Sequence, residues 1–206
     1  MVGPGDFKLK IAHLSDLHHP YGNKHTDTIL TSITEFAPDY IFLTGDIIDE
    51  ASTLSDIESV SLLIHKLAKI AFVFAISGNH EASNPNMRKY ITSIEKAGAT
   101  YLENIMVISH IRQKRFIIAG LLDNAPYESI SLTHIDDTPI ILLSHRPSSF
   151  NKFASATPAP TIVFAGHAHG GVVRLFGHGL YTPDQGFMPQ YTRGIYQNNG
   201  SAIIVS

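Results

Sequence analysis

The sequence predicts an α/β fold in a single domain, because three features of its 206 residues agree. Short apolar runs alternate with amphipathic stretches, which is typical of strand–helix–strand units and a largely parallel sheet. The runs are almost continuously apolar, as in strands that are buried on both faces. Hydrophobic residues make up 44% of the chain and charged residues 16%, which excludes a disordered chain and a coiled coil.

The strands and helices can be assigned in chain order. Six apolar runs have the length of a strand, at residues 9–14, 40–43, 70–76, 116–119, 140–143 and 162–165. Three stretches place apolar side chains on one helical face, at residues 25–36, 54–67 and 85–97. Ser52 and Asn84 are the expected N-caps of the second and third helices, because short polar side chains accept hydrogen bonds from the first helical turn.

The part of the chain after Gly170 is richer in glycine, proline and tyrosine than the rest. Its short apolar runs, at residues 172–176 and 202–205, predict antiparallel hairpins that close a second sheet. Nothing in the composition marks a linker between domains. We therefore expect one domain over residues 1–206, with residues 1–7 as a leader outside the fold.

Composition excludes several classes of function. Without cysteine, the chain has no disulfide framework, no thiolate zinc site and no thiol nucleophile. The 15 Lys and Arg residues against 18 Asp and Glu argue against a stable nucleic-acid partner. No apolar stretch approaches the roughly 20 residues of a transmembrane helix. We expect a cytoplasmic chain, or a membrane-associated or exported one if an N-terminal segment has been removed; the sequence does not indicate an oligomeric state.

Histidine is the outlier, with 12 residues in the chain, and it is the commonest metal ligand among the side chains. Five of the six apolar runs end in polar clusters, at residues 15–18, 45–49, 78–81, 144–147 and 166–171. Ligands of α/β sheets bind beyond the carboxyl ends of the strands, so these clusters should converge on one site. Carboxylate, imidazole and carboxamide groups without sulfur suit Mn, Fe, Zn or Ni.

The ordered motifs Asp-x-His, Gly-Asp-x-x-Asp, Gly-Asn-His-Glu, His and Gly-His-x-His, across residues 16–169, resemble those of the calcineurin-like metallophosphoesterase superfamily. Residues 166–196 further resemble the bacterial branch of YkuE/YaeI-type phosphodiesterases. The resemblance implies the metallophosphatase fold, a four-layer α/β-β/α sandwich with two mixed sheets flanked by helices. It also implies two divalent metal ions at one edge of the sandwich, with manganese favoured.

The resemblance also assigns metal ligands by position. The first metal would be held by Asp16, His18, Asp46 and His169. The second would be held by Asp46, Asn79, His145 and His167, so that Asp46 bridges the two ions.

Other residues of the motifs receive different roles. The resemblance implies that His80 lies beside the scissile phosphate. There it would stabilise or protonate the leaving oxygen as a general acid, which makes His80 and Asp46 the expected catalytic residues. Asp49 and Glu81 are expected to orient ligands or to support the fold. Arg146 suits phosphate oxygens but is equally compatible with an ordinary surface position. His19 and His178 are either cleft or loop histidines.

The expected function is that of a binuclear-metal-dependent phosphoesterase acting on a small phosphorylated substrate. Hydrolysis would proceed by in-line attack of a metal-bridging hydroxide. The branch resemblance favours a phosphodiesterase; a phosphomonoesterase and a hydrolase of nucleotide- or lipid-linked pyrophosphates remain alternatives. A non-catalytic scaffold is disfavoured, because none of the seven ligand positions is substituted.

Overall fold

A computed structural model describes residues 8–20, 25–132, 137–175 and 178–206, with the backbone alone at residues 173–175 and 178. The expected leader, residues 1–7, lies outside these ranges. The helices are α1 (Thr26–Phe36), α2 (Leu54–Ala68), α3 (Asn79–Ser83), α4 (Met87–Lys96) and α5 (Phe150–Phe153). The strands are β1 (Ile11–Leu14), β2 (Tyr40–Thr44), β3 (Phe72–Ile76), β4 (Ala99–Tyr101), β5 (Ile105–Ile111), β6 (Lys114–Gly120), β7 (Ile140–Leu143), β8 (Ile162–Ala165), β9 (Val173–Leu175), β10 (His178–Thr182), β11 (Gly186–Phe187), β12 (Gly194–Asn198) and β13 (Ser201–Val205).

The first sheet has the order β1-β2-β3-β4, and each of these neighbouring strands pairs in parallel. Helices α1, α2 and α4 cover its outer face, where the apolar sides of the helices pack on buried strand residues. Helix α2 begins at a capping box, in which Thr53 accepts a hydrogen bond from the Asp56 N–H and Asp56 accepts one from the Thr53 N–H.

The second sheet has the order β12-β13-β8-β7-β6-β5 and mixes parallel with antiparallel pairs. Its inner face packs on the first sheet through an aromatic and aliphatic core. The Phe42 and Phe164 rings meet edge to face across this core, with centroids 5.0 Å apart. The outer face is covered by α5 and two short 3₁₀ turns, so that the sandwich has four layers.

The predicted fold class is therefore confirmed, although details differ. The first sheet is parallel in its described pairings, and the second is the mixed one. The segment after Gly170 supplies β12 and β13 to the second sheet as expected, but β9, β10 and β11 form a separate antiparallel sheet. Among the described residues, no helix is long and apolar enough to cross a membrane.

The two N-cap predictions were wrong. Helix α2 is capped by Thr53, while the Ser52 hydroxyl donates to the backbone carbonyl of His19 instead. Helix α4 begins after Asn86. The side chain of Asn84 accepts from the Asn86 N–H and donates to the carbonyls of Asp49 and Ser52, so it braces the loop before the helix.

The expectation that all polar clusters line the edge of one sheet also needs correction, since they come from both sheets. The clusters after β1, β2 and β3 belong to the first sheet, and those after β7 and β8 belong to the second. Backbone contacts join them, since the His167 N–H, after β8, donates to both carboxylate oxygens of Asp16, after β1. The two sheets therefore present their carboxyl ends to one shared site.

Candidate metal centre

The backbone at the site is held in an uncommon conformation. Five of the seven predicted ligands have a positive φ, between 45° and 64°, namely Asp16, His18, Asp46, His167 and His169. Residues other than glycine rarely adopt this left-handed region, and they cluster at functional sites when they do. The chain therefore turns sharply after β1, β2 and β8, where these five residues lie at the shared edge of the two sheets.

Glycines at the same strand ends leave room for these side chains. A Cβ atom at Gly78 would lie 2.3 Å from Oδ1 of Asp46 and 2.7 Å from Cε1 of His145. A Cβ atom at Gly166 would lie 2.4 Å from Oδ2 of Asp16. All three distances are far below ordinary van der Waals contact, so a side chain at either position would displace a predicted ligand.

The inner cluster contains Asp46, Asn79, His145 and His167. Nε2 of His145 lies 3.1 Å from Oδ2 of Asp46 and 3.1 Å from Oδ1 of Asn79. Nδ1 of His167 lies 3.1 Å from the same nitrogen. The Nδ1–H of His145 donates to the backbone carbonyl of Thr44, which leaves Nε2 facing the other three atoms.

The electrostatics of this cluster favour a cation at its centre. Burial alone would lower the pKa of His145, but the hydrogen bond and charge of Asp46 raise it to about 9. Burial raises the pKa of Asp46, yet His145 and the backbone N–H of His80 more than offset this effect, so that the pKa is lowered overall. The inner cluster thus attracts positive charge. Its imidazole nitrogen, carboxylate and carboxamide oxygen atoms are a donor set that a divalent ion fits.

The outer cluster contains Asp16, His18 and His169, which present ligand atoms within 4.8 Å of one another. Nε2 of His169 lies 3.5 Å from Oδ1 of Asp16, and the rings of His18 and His169 stack with centroids 5.2 Å apart. Nε2 of His18 is buried and has no hydrogen-bond partner within the described residues. A buried, unsatisfied imidazole nitrogen is costly, and a metal ion would satisfy it.

His80 lies between the two clusters and is partly exposed. Its Nε2 is 4.0 Å from Oδ2 of Asp46, and its ring centroid is 4.5 Å from that of His18. Oδ2 of Asp49 lies 3.4 Å from Nδ1 of His80 and 3.6 Å from Nδ1 of His18. Asp49 therefore lies beside both imidazole rings. His18, Asp49 and His80 form a third group that could hold an ion.

Glu81 is completely buried and fastens the loops that follow β2 and β3. Its carboxylate accepts hydrogen bonds from four backbone N–H groups, those of Asp46, Ile47, Ile48 and Gly78. Burial and the nearby charge of Asp46 raise the pKa of Glu81, whereas these N–H bonds lower it. Glu81 supports the backbone of the site and does not face the ligand clusters.

Arg146 contacts the inner cluster and is held by a residue without a role in the sequence-based prediction. Its Nε and Nη2 donate to the two carboxylate oxygens of Asp123, at 2.8 and 3.0 Å, and its Nη1 lies 3.1 Å from Nε2 of His167. Asp123 follows β6, the one predicted strand without an assigned polar cluster. Its position after a strand is the feature of the sequence from which a role at the site could have been predicted. Asp184 acts on the pKa of both Arg146 and His167, but its Pro-Asp-Gln-Gly context resembles an ordinary turn.

His19 and His178, the two histidines predicted to lie in the cleft or in a loop, differ in what the structure shows of them. His19 is buried, its N–H pairs with the carbonyl of Ile47, and burial lowers its pKa. The side chain of His178 lies outside the described part of the structure. All the predicted ligands, together with His80 and Arg146, are gathered at the shared edge of the two sheets.

Comparisons with known proteins agree with this geometry. The sequence profile of the family described as "Calcineurin-like phosphoesterase" matches residues 9–171. The "Uncharacterized metallophosphoesterase YkuE" of Bacillus subtilis is 32% identical over 203 residues, which cover 95% of this chain and 68% of that protein.

Solved structures share the fold. The protein TT1561 of Thermus thermophilus superposes with a TM-score of 0.63 at 12% identity, over 96% of this chain and 89% of that one. A dimetal phosphatase from Danio rerio superposes with a TM-score of 0.56 at 12% identity, over 96% and 86%. The chain belongs to the calcineurin-like phosphoesterase family and is a metal-dependent phosphoester hydrolase.

Proposed function

We propose that the protein is a phosphodiesterase that uses two divalent metal ions, preferably manganese, to hydrolyse a small phosphorylated substrate. The observation that carries the proposal is the convergence of the inner cluster, where Oδ2 of Asp46 and Oδ1 of Asn79 each lie 3.1 Å from Nε2 of His145. The adjacent outer cluster offers a second set of oxygen and nitrogen ligands. A structural neighbour named as a dimetal phosphatase is consistent with two ions.

The two clusters divide the ligands between the ions. Asp16, His18 and His169 would hold the first ion, Asn79, His145 and His167 the second, and Asp46 both. When bound, two divalent ions activate a water molecule and neutralise the charge that develops on the phosphoryl oxygens. The chain itself fixes the ligands, through Glu81 behind Asp46 and the Thr44 carbonyl behind His145.

His80 is the proposed general acid. Its backbone N–H donates to Oδ1 of Asp46, which anchors the residue beside the inner cluster. The carboxylate of Asp49 lies 3.4 Å from Nδ1 and helps to orient the ring. The partly exposed Nε2 then carries the proton for the leaving oxygen, a role worth about 100- to 10,000-fold in rate.

Arg146 is the proposed phosphate contact. If Nδ1 of His167 serves as the ligand atom, the ring proton resides on Nε2, which can no longer accept a hydrogen bond from Arg146. The guanidinium stays anchored on Asp123 through Nε and Nη2. Nη1 is then released from His167 and can donate to a phosphate oxygen.

The ion pair between Arg146 and Asp123 favours a diester substrate over a monoester. The guanidinium that reaches the ligands is already neutralised by Asp123, in a bidentate ion pair. A phosphomonoester dianion requires more positive charge than a diester, which carries a single negative charge. The resemblance to a phosphodiesterase branch supports the same choice.

The test combines elemental analysis with two substrates. We expect two bound metal equivalents after manganese loading, and faster hydrolysis of bis-p-nitrophenyl phosphate than of p-nitrophenyl phosphate. A chelator should abolish both activities, and manganese should restore them. A clear preference for the monoester would replace the diesterase proposal by phosphatase activity, and a metal-loaded protein inactive on both substrates would contradict the proposal.

A further inference from the structure

An exposed apolar surface lies next to the metal centre. It consists of Val172, Tyr181, Phe187 and Met188, whose exposed fractions are 60%, 37%, 81% and 81%, and we call it the apolar rim. Contiguous apolar surface of this kind usually marks a place where something binds, whereas single exposed apolar residues are ordinary. These four residues belong to the small antiparallel sheet or to the segments next to it.

The four rim residues are held next to one another by the backbone pairing of the small antiparallel sheet. The N–H of Val172 donates to the carbonyl of Tyr181 at 2.9 Å. Tyr181 is paired with Phe187 across β10 and β11, and their ring centroids are 5.7 Å apart. The N–H of Met188 donates to the carbonyl of Leu180, which keeps Met188 beside the same pair of strands.

The rim is also joined to the metal centre. Only Gly170 and Gly171 separate Val172 from the predicted ligand His169. A Cβ atom at Gly171 would lie 2.4 Å from Cα of Gly179, so the loop that leaves the centre rests directly on β10. The turn between β10 and β11 carries Asp184, whose charge acts on Arg146 and His167.

We propose that the apolar rim receives an apolar arm of the substrate, so that the preferred substrates are amphiphilic phosphodiesters with an alkyl or aryl ester group. This inference rests on the proposed phosphodiesterase function. Its basis is the continuity between rim and centre: a phosphate held near Arg146 and His169 extends one of its ester arms over Val172 and toward Phe187. Burial of that arm against the rim removes apolar surface from water on both partners.

The test uses methyl, butyl and octyl p-nitrophenyl phosphate diesters below their micelle concentrations. For the manganese-loaded protein, kcat/KM should rise at least about tenfold from methyl to octyl, because each methylene removed from water adds to binding. The double variant Phe187→Ser/Met188→Ser should reduce this octyl-to-methyl ratio to less than about threefold. Leu62→Ser is the matched control, since Leu62 is 61% exposed on α2, and it should keep the wild-type ratio.

Two outcomes would overturn the inference. One is a wild-type protein without chain-length dependence, and the other is a double variant that keeps the wild-type ratio. If that variant keeps the ratio but loses binding to phosphatidylcholine vesicles, the rim is a membrane contact and not a substrate contact.

A binding measurement separates this inference from the proposed function. Calorimetric titration of manganese-loaded protein with methylphosphonate and octylphosphonate needs no turnover. A preference for octylphosphonate that the double variant loses supports the rim even in a protein inactive on diesters. Equal affinities for the two phosphonates overturn the inference even in an active phosphodiesterase.

Discussion

Asp46 contacts residues of three different segments of the site. Its N–H donates to Glu81, its Oδ1 accepts from the His80 N–H, and its Oδ2 faces His145. The sequence-based prediction selected it from a Gly-Asp-x-x-Asp motif, and the geometry gives a physical reason for that choice. A carboxylate whose two oxygens and backbone are all held loses little freedom when it binds metal, which favours tight and specific ligation.

The first prediction distinguishes the role of a metal ligand from that of a general acid. Asp46→Ala should lose most bound metal and all measurable turnover, because the variant lacks the proposed bridging carboxylate. His80→Ala should keep both metal equivalents and lose about 100- to 10,000-fold in kcat. Elemental analysis and diester kinetics measure both effects. Normal metal content in Asp46→Ala would disprove the bridging role.

The second prediction concerns His13, a partly buried histidine of β1 that lies outside the two ligand clusters. Its Nε2 lies 2.7 Å from Oγ1 of Thr44, its ring meets Phe164 edge to face, and burial lowers its pKa from 6.5 to about 4. Because the unfolded chain binds this proton more readily, acid should destabilise the folded state between pH 6.5 and about 4. The loss of unfolding free energy attributable to His13 should reach about 2 kcal/mol at pH 5.

Urea unfolding of the chelator-treated protein at pH 7.5 and pH 5 measures this loss. His13→Leu should show a smaller drop between the two pH values than the wild type, since leucine takes up no proton. Comparing the two drops cancels the contribution of the carboxylates, which the variant shares. Equal drops in both proteins would show that His13 does not stay neutral in the folded core.

At the scale of elements, the sequence predicted the buried strands well and the exposed ones poorly. β7 and β8 have the predicted bounds, because each is a run of four apolar residues that ends at a polar residue, a proline or a glycine on either side. β5 was missed, since it is half exposed and contains Ser109 and His110, and β4 has only three residues. Pattern reasoning finds apolar runs, whereas these strands are held by pairing with β6 and β3.

The candidate site was predictable for a different reason. Each predicted ligand lies two to four residues after the end of a strand, so chain position alone indicates a common edge. The parts that were not predicted depend on contacts between distant segments. The Arg146–Asp123 ion pair joins the ends of β7 and β6, and neither residue type reveals its partner in the sequence.

The third prediction belongs to the loops that Glu81 fastens together. Glu81→Gln leaves one acceptor oxygen for four backbone N–H groups and introduces a donor among them. We expect the free energy of unfolding to fall by about 3 kcal/mol and manganese affinity to fall with it. Urea unfolding and metal titration are the measurements. Glu58→Gln, on the exposed face of α2, is the control and should change neither; a similar loss in both variants would contradict the bracing role.

At the scale of the whole molecule, the centre joins the two halves of the sandwich. Asp16, Asp46 and Asn79 come from the first sheet and its connections, and His145 and His167 come from the second. An ion held by residues of both sheets binds only the assembled fold, so its binding free energy adds to the stability of the packed sheets. The net charge of −3 does not prevent the binding of an anionic phosphate, because the attraction for the phosphate is local to the metal site.

The fourth prediction follows from this arrangement. Manganese at a hundred times its Kd should stabilise the fold by about 2.7 kcal/mol for each bound ion, which corresponds to about 5–10 °C in Tm per ion for a domain of this size. Thermal unfolding with chelator and with manganese measures the shift. His80→Ala should keep it and Asp46→Ala should lose most of it; a wild-type Tm indifferent to metal would contradict a centre built from both sheets.

Two divalent ions are proposed to share the carboxylate of Asp46 at the edge where the sheets meet. Anomalous diffraction from crystals of the manganese-loaded protein would locate both ions. We expect two peaks about 3.5–4 Å apart, one among Asp16, His18 and His169 and the other among Asn79, His145 and His167, with Asp46 between them. A single peak, or two peaks that do not share Asp46, would contradict this proposal.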